Sequence, residues 1–139
     1  MPCFSIHWKE VTMPLVLHES AEMYLETILN LEEELDRVRA VDIAQRMGYS
    51  KPTISEWMGK LRDAGYVTLN EAGGITLTDA GREVAVKIYE RHVVLSGFFR
   101  AIGVSEETAV DDACRVEHYI SDETFNCLKS YMDKNHPQA

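Results

Sequence analysis

A glycine between two runs of helical apolar spacing, followed closely by a proline, most constrains the fold. Residues 36–47 predict a short helix that ends at Gly48, because glycine adopts the left-handed conformation of a helix end at low cost. Pro52 suits the first turn of a second helix, whose apolar side chains recur at i, i+3, i+4 and i+7: Ile54, Trp57, Met58 and Leu61. The pattern predicts a helix-turn-helix, although an ordinary pair of packed helices has the same spacing.

Two short strand-like runs follow the second helix directly. Residues 66–69 and 75–77 are rich in β-branched and aliphatic side chains, and the five residues between them include Gly73 and Gly74. A hairpin at this place is typical of the wing of a winged helix-turn-helix. The hairpin therefore favours a DNA reader over a plain pair of helices.

The start of the second helix carries a polar outer face. Hydroxyl, ammonium and carboxylate groups of this kind contact phosphates and base edges in protein–DNA complexes. The residues predicted to contact DNA are Arg39, Ser50, Lys51, Pro52, Thr53, Ser55, Glu56 and Lys60.

Charge is unevenly distributed along the chain. Residues 36–66 contain six basic and four acidic side chains, a net charge of +2, whereas the whole chain carries −9. The remaining residues therefore sum to −11. This asymmetry favours one segment that meets an anionic partner and a remainder that holds cations.

Apolar periodicity predicts four more helices. Short apolar-striped helices that follow a long one need a surface to pack on, and DNA readers of this type usually work as symmetric pairs. We therefore expect the C-terminal helices to form a homodimer. The four helices cover residues 20–35, 79–100, 105–118 and 121–132, and the first has an apolar stripe of Tyr24, Ile28, Leu31 and Leu35.

Three metal-ligating side chains share one helix face near the end of the chain. Glu117 and His118 follow Cys114 by three and four residues, so a sulfur, a carboxylate and an imidazole converge within one turn. Further ligands must come from elsewhere, and the candidates are His92 and the i, i+3 pair Met23 and Glu26. The alternative interpretation is an acidic solvated helix with one buried cysteine and a surface histidine.

Composition limits the cellular setting and the chemistry. The three cysteines, Cys3, Cys114 and Cys127, have no disulfide-framework spacing, which indicates a reducing compartment. No apolar run is long enough to cross a bilayer, and the N-terminus lacks the features of a signal peptide. No His-Glu-x-x-His motif or glycine-rich phosphate loop is present. We expect a cytoplasmic protein with no membrane partner or small organic substrate, and not an enzyme.

Three stretches together resemble the diphtheria toxin repressor family of metal-dependent transcription regulators. They are residues 22–26 (Glu-Met-Tyr-Leu-Glu), residues 50–55 (Ser-Lys-Pro-Thr-Ile-Ser) and residues 111–123, which contain Ala-Cys-Arg-Val-Glu-His. The resemblance implies a mainly α protein in the short two-domain form. It predicts an N-terminal extension (1–17), a winged helix-turn-helix DNA-binding domain (18–80) and an all-helical metal-binding and dimerisation domain (81–139).

The resemblance also implies a ligand set. Met23, Cys114, Glu117 and His118 match the primary site of the iron-responsive branch, and His92 matches a metal-binding histidine of the family. Glu26 matches a carboxylate ligand of the manganese branch. Two departures, Ser96 in place of a glutamate and Val110 in place of a histidine, predict an ancillary site that is weakened, absent or rebuilt from Glu26 and His92.

The implied function is a metal-activated repressor of iron or manganese uptake and homeostasis genes. Such a protein binds Fe²⁺ or Mn²⁺, with Zn²⁺, Co²⁺ or Ni²⁺ as substitutes in vitro, and a homodimer reads a palindromic double-stranded operator. Two alternatives stay open. The first is a thiol redox switch at Cys114, which needs an exposed, reactive thiolate and preferably a resolving cysteine, whereas Cys127 is thirteen residues away on a separate predicted helix. The second is a metalloenzyme, since Cys, Glu and His also build catalytic zinc sites.

Overall fold

The computed structural model describes residues 19–135, so the predicted N-terminal extension lies outside the described residues. The chain divides into two compact units, a first unit that ends at Ala85 and a second unit that begins at Val86. Along the described residues no helix is both long and apolar enough to cross a membrane.

The first unit contains three helices and a hairpin before the start of a fourth helix. The order is α1 (described over 19–34), α2 (Ala40–Met47), α3 (Lys51–Asp63), β1 (Val67–Leu69) and β2 (Ile75–Leu77). The strands are antiparallel, with Val67 opposite Leu77 and Leu69 opposite Ile75. The predicted winged helix-turn-helix is therefore confirmed.

The turn between α2 and α3 is built as the glycine and the proline predict. Gly48 has φ 74°, in the left-handed region, and its N–H donates to Ala44 O at 2.9 Å. The Ser50 side chain accepts a hydrogen bond from Thr53 N at 3.3 Å and caps α3, whose first turn contains Pro52.

Helix α2 begins at Ala40 and not at residue 36 as predicted. Val38 instead pairs with Ile75 of the hairpin, since Ile75 N donates to Val38 O at 2.8 Å. The backbone N of Arg39 then donates to the Asp42 carboxylate at 2.9 Å, which closes the first turn of α2. Long-range strand pairing therefore displaces the helix start by one turn.

The core of the first unit is almost wholly apolar and joins α1, α2, α3, the hairpin and the start of α4. Each fully buried aliphatic side chain contributes about 1.5–3 kcal/mol. Leu35, predicted to end the stripe of α1, lies outside the helix and is 37% exposed. The buried side chains are Tyr24, Leu25, Ile28, Leu31, Val38, Ile43, Ile54, Met58, Leu61, Val67, Ile75, Leu77 and Ala85.

The second unit is built from α4 (Asp79–Ala101), which starts in the first unit, together with α5 (Glu106–Val116) and α6 (Asp122–Asn135). Gly103, with φ 108°, follows α4, and serine side chains cap α5 and α6 as predicted. Helix α5 ends at Val116, so Glu117 is its C-cap residue and His118 lies in the following turn. The predicted helix ran to residue 118, so its predicted end is two residues too late. The buried apolar residues are Ile88, Leu95, Ala109, Ala113, Phe125 and Met132.

Candidate functional site

Three predicted metal ligands of the second unit lie together. His92 comes from the second half of α4, Cys114 from the last turn of α5, and Glu117 from its C-cap. The ligand atoms of these three residues all lie within 4.8 Å of one another. Glu117 keeps nearly helical dihedral angles (φ −57°, ψ −26°), so it stays on the face of Cys114 although the regular helix has ended.

The Glu117 carboxylate lies between two imidazoles. Its Oε2 is 3.1 Å from His92 Nδ1, and its Oε1 is 3.4 Å from His118 Nε2. Glu117 is only 1% exposed, and a buried carboxylate is stable only with partners that compensate its lost hydration. The two histidines supply that compensation.

His92 holds a proton tightly in this cluster. The hydrogen bond with Cys114, whose Sγ lies 3.7 Å from His92 Nδ1, and the bond with Glu117 raise the pKa of His92 to about 10, against the opposing effect of partial burial. A proton on this imidazole therefore places a positive charge beside the Glu117 carboxylate. A metal ion at the same place would compete with that proton.

The donor set fits a divalent transition-metal ion. Thiolate sulfur is a soft ligand, imidazole suits most late first-row ions, and carboxylate also suits Mn²⁺. The burial pattern is the reverse of the alternative interpretation, because Cys114 is exposed and His118 is 6% exposed. An acidic solvated helix with a buried cysteine and a surface histidine is therefore wrong.

Met23 and Glu26 belong to α1 in the first unit, and both are half-buried. Met23 lines a cavity of about 220 Å³ together with Tyr49 and Thr53, which flank the start of α3. Met23 therefore lies near the N-terminus of this helix. The assignment of Met23 and Glu26 as ligands stays a prediction.

The positions that depart from the family pattern are accounted for locally. Ser96 is 5% exposed, and its hydroxyl donates to Val93 O at 3.2 Å. Val110 is half-buried on α5. Neither side chain offers a strong metal ligand, so an ancillary site that is weakened, absent or rebuilt from Glu26 and His92 stays a prediction.

Sequence analysis missed Arg91, which is 6% exposed. Its guanidinium donates to Glu117 O at 3.2 Å and Ile120 O at 2.7 Å, and it forms an ion pair with Asp122. The sequence does contain an indication, because Arg91 lies on the inward stripe of α4 at i+3 from Ile88.

The predicted DNA-contacting residues are all exposed in the first unit. Ser50 Oγ lies 2.8 Å from Thr53 Oγ1 in addition to capping α3, so its hydroxyl is engaged within the helix start. Glu56 forms an ion pair with Lys60 at 3.5 Å, and the Lys60 ammonium lies 4.6 Å from the centre of the Trp57 ring. The exposed face of α3 is therefore partly ordered by its own contacts.

Comparisons with known proteins match both units. Residues 16–75 match the family model described as Iron dependent repressor, N-terminal DNA binding domain. Residues 78–138 match the one described as Iron dependent repressor, metal binding and dimerisation domain.

Individual relatives agree with the family models. The chain is 33% identical over 117 residues to the transcriptional regulator MntR of Escherichia coli O6:H1, covering 84% of this chain and 76% of that protein. It is 32% identical over 121 residues to the diphtheria toxin repressor of Corynebacterium glutamicum, covering 86% of this chain and 53% of that protein. A solved manganese-dependent transcriptional repressor in complex with manganese is similar with TM-score 0.75 and 32% identity, over 81% of this chain and 52% of that one. The chain thus spans about half the length of the last two proteins.

Proposed function

The chain belongs to the iron-dependent repressor family, and from this membership we propose that it is a cytoplasmic, homodimeric repressor of iron- or manganese-uptake genes. Fe²⁺ or Mn²⁺ activates it, and the active dimer binds a palindromic operator. The observation that carries the proposal is the convergence of His92, Cys114 and Glu117 within 4.8 Å in the unit that matches the metal-binding and dimerisation domain.

The chain's own residues perform two tasks. In the second unit, His92, Cys114, Glu117 and His118 would hold the ion, and Met23 and Glu26 would complete the ligand set from α1. In the first unit, the N-cap and first turns of α3 face the major groove, while the lysines and Arg39 contact phosphates. The residues that face the groove are Ser50, Pro52, Ser55 and Glu56.

A bound divalent ion would supply positive charge that draws ligands of both units together. Its ligands are far apart in sequence, since Met23 and Cys114 are separated by 91 residues. Ligands shared between the units would therefore favour one relative orientation of the two recognition helices in a dimer. By thermodynamic linkage, DNA must then tighten metal binding by the same factor by which metal tightens DNA binding.

The donor set favours Fe²⁺ over Mn²⁺. Cys114 and Met23 offer a thiol and a thioether, and sulfur ligands prefer softer ions than Mn²⁺. Glu26 and Glu117 keep Mn²⁺ as an alternative, and the MntR relatives and the solved manganese-dependent repressor give that alternative further weight.

The decisive experiment measures DNA binding with and without metal. DNA selected from a random pool in the presence of Mn²⁺ serves as the probe, and Fe²⁺ and Mn²⁺ are titrated under anaerobic conditions. We expect either ion to strengthen binding about 5–150-fold, the usual range of allosteric coupling, and a chelator to reverse it. DNA binding that is independent of metal but changes with peroxide would favour the thiol switch at Cys114. Turnover in a hydrolase screen would favour an enzyme.

A further inference from the structure

The turn after α5 carries Glu117 and His118 outside any regular helix. Beyond the last helical residue, backbone carbonyls have no partner within the helix, and side-chain directions depend on how the turn itself is held. One buried side chain, Arg91 of α4, donates to the carbonyls at both ends of this turn, those of Glu117 and Ile120.

We infer that Arg91 is a positioning residue of the metal centre, which holds the Glu117–His118 turn in the conformation that binds the ion. This inference rests on the proposed function. It assigns to Arg91 no contact with the metal. Its role is to orient the groups that make that contact, as outer residues of metal sites commonly do.

Burial and geometry support this role. Arg91 is 6% exposed, and its guanidinium lies 5.5 Å from the centre of the Phe125 ring on α6. Its Nε is buried without a hydrogen-bond partner among residues 19–135, so its contacts with the turn and with Asp122 are made by the two terminal nitrogens. A planar group with several fixed donors can hold two carbonyls and a carboxylate at once, which the single ammonium of a lysine cannot reproduce.

The neighbour of Arg91 along α4 is the predicted ligand His92. Consecutive residues of a helix point about 100° apart, so one turn of α4 delivers an imidazole to the cluster and a guanidinium to the backbone of the turn. Both sides of the Glu117 residue are thereby fixed by α4, since His92 contacts its carboxylate and Arg91 its carbonyl.

A purely structural role would act through Asp122, and the chain offers a control for it. Lys87, one turn before Arg91 on α4, also forms an ion pair with Asp122, at 3.2 Å. Lys87, and to a smaller extent Arg91, lower the pKa of the Asp122 carboxyl. Within residues 19–135, Lys87 donates no hydrogen bond to the carbonyls of the turn. Removal of Lys87 therefore tests the ion pairing between α4 and α6 while the hydrogen bonds from Arg91 to the turn remain.

The test uses the full chain and Co²⁺ as the probe ion. The d–d bands and the sulfur-to-cobalt charge-transfer band report the geometry at Cys114, and a competing chelator measures affinity. We expect Arg91→Lys to remain folded, to bind Co²⁺ about tenfold more weakly and to shift the d–d bands, in line with other orienting groups. Arg91→Met should lose at least as much, and Lys87→Met should stay within about twofold of the parent, because exposed ion pairs contribute little.

Each other outcome has a defined meaning. If Arg91→Lys keeps the parent's affinity and spectrum, the inference is wrong, whether or not Arg91→Met folds. If Lys87→Met weakens Co²⁺ binding as much as Arg91→Lys does, the effect passes through Asp122 and the inference is again wrong. If the parent itself binds no Co²⁺, Fe²⁺ or Mn²⁺, the proposed function fails and this inference fails with it.

Discussion

The two units of the molecule bury different kinds of side chain. Among the described residues, the first unit has a continuous apolar core with Glu22 as its one buried charged side chain, whereas the second unit buries Arg91, Ser96, Glu117 and His118. The residues predicted to contact DNA are all exposed, while the cluster of predicted metal ligands lies partly inside its unit. The first unit therefore presents its predicted DNA-contacting side chains on the outside of an apolar core, whereas the predicted metal ligands of the second unit form part of its interior.

This difference determines how substitutions should act. Exposed groups contribute separately, in water and under salt screening, so a single change in α3 should have a small and local effect. Buried polar groups polarise and neutralise one another, so a change at Glu117 alters His92 and His118 as well. Larger effects are expected in the second unit, and each experiment below tests that asymmetry.

The largest effect is expected from Glu117→Gln. The amide keeps the size of the side chain but loses the charge that pairs with His92, so metal affinity should fall by more than about 100-fold, beyond the range of orienting groups. Metal-dependent DNA binding should be abolished while the circular dichroism spectrum keeps its helical form. Manganese binding by electron paramagnetic resonance and DNA binding by fluorescence anisotropy measure the two effects.

The matched control is Glu107→Gln, an exposed carboxylate in the first turn of the same helix. It removes the same charge from α5 without touching the cluster and should leave both measurements unchanged. His118→Ala should behave as Glu117→Gln does. Metal-dependent operator binding retained by both Glu117→Gln and His118→Ala would show that the site is assigned to the wrong residues.

A second large effect is expected from pH. The hydrogen bonds to Cys114 and Glu117 raise the pKa of His92 from 6.5 to about 10, so a proton must leave before Nδ1 can bind metal. From this group alone, metal affinity should rise about tenfold per pH unit between about pH 6 and pH 9. In the metal-free protein, folding stability depends on pH in the opposite direction. The stabilisation from the protonated imidazole is complete below pH 6.5 and is lost as the pH rises towards 10.

Calorimetry in two buffers with different ionisation enthalpies counts the protons released per ion bound. The parent should release one proton more than His92→Gln does. Affinity that is independent of pH in the parent, with no difference in proton release between the two proteins, would mean that His92 is not a ligand.

Local patterns predicted most of the fold, and non-local pairing accounts for the main error. Gly48, Pro52 and the glycines of the hairpin act through their own backbone preferences, so α3, β1 and β2 were predictable from a few neighbouring residues. The start of α2 was not, because it depends on the hydrogen bond between Val38 and Ile75, which are 37 residues apart. Nothing within residues 36–39 indicates that contact.

The approach of Cys114 and Glu117 to one another was predictable from local spacing in the same way, and their role as metal ligands stays a prediction. The i, i+3 spacing of Cys114 and Glu117 holds because Glu117 keeps helical dihedral angles, whereas the end of α5 before His118 depends on tertiary contacts of the turn. Arg91 was missed because an arginine in an amphipathic helix is usually solvated, whereas here it is buried and donates to the carbonyls of Glu117 and Ile120 in the turn after α5. The spacing of two residues on one helix is thus easier to predict than the burial of a residue on another helix that contacts the following turn.

A moderate effect is expected on metal preference when sulfur is removed. The double variant Met23→Asp with Cys114→Glu replaces both soft ligands by carboxylates, so the ratio of Mn²⁺ to Fe²⁺ affinity should rise on the order of tenfold. Anaerobic competition between the two ions measures this ratio. Cys127→Ser, at the other exposed cysteine of the second unit, should leave it unchanged. An unchanged ratio in the double variant would show that sulfur does not set the preference, and the argument for iron would fall.

The smallest effect is expected in the first unit, from Glu56→Gln on α3. A carboxylate accepts from the cytosine amino group, and a good base contact discriminates by about 1–3 kcal/mol. Glu56 also pairs with Lys60 in water, so we expect the lower end, near 1 kcal/mol or about fivefold, at one position in each half-site. Selection from random DNA measures this preference.

Lys51→Ala is the contrasting variant, because it should weaken binding to all DNA sequences alike and reduce the salt dependence of binding by about one phosphate contact. If Glu56→Gln instead weakened all sequences equally, Glu56 would act through Lys60 and not on a base. If Glu56→Gln left the base preference unchanged, Glu56 would not be one of the residues that contact bases.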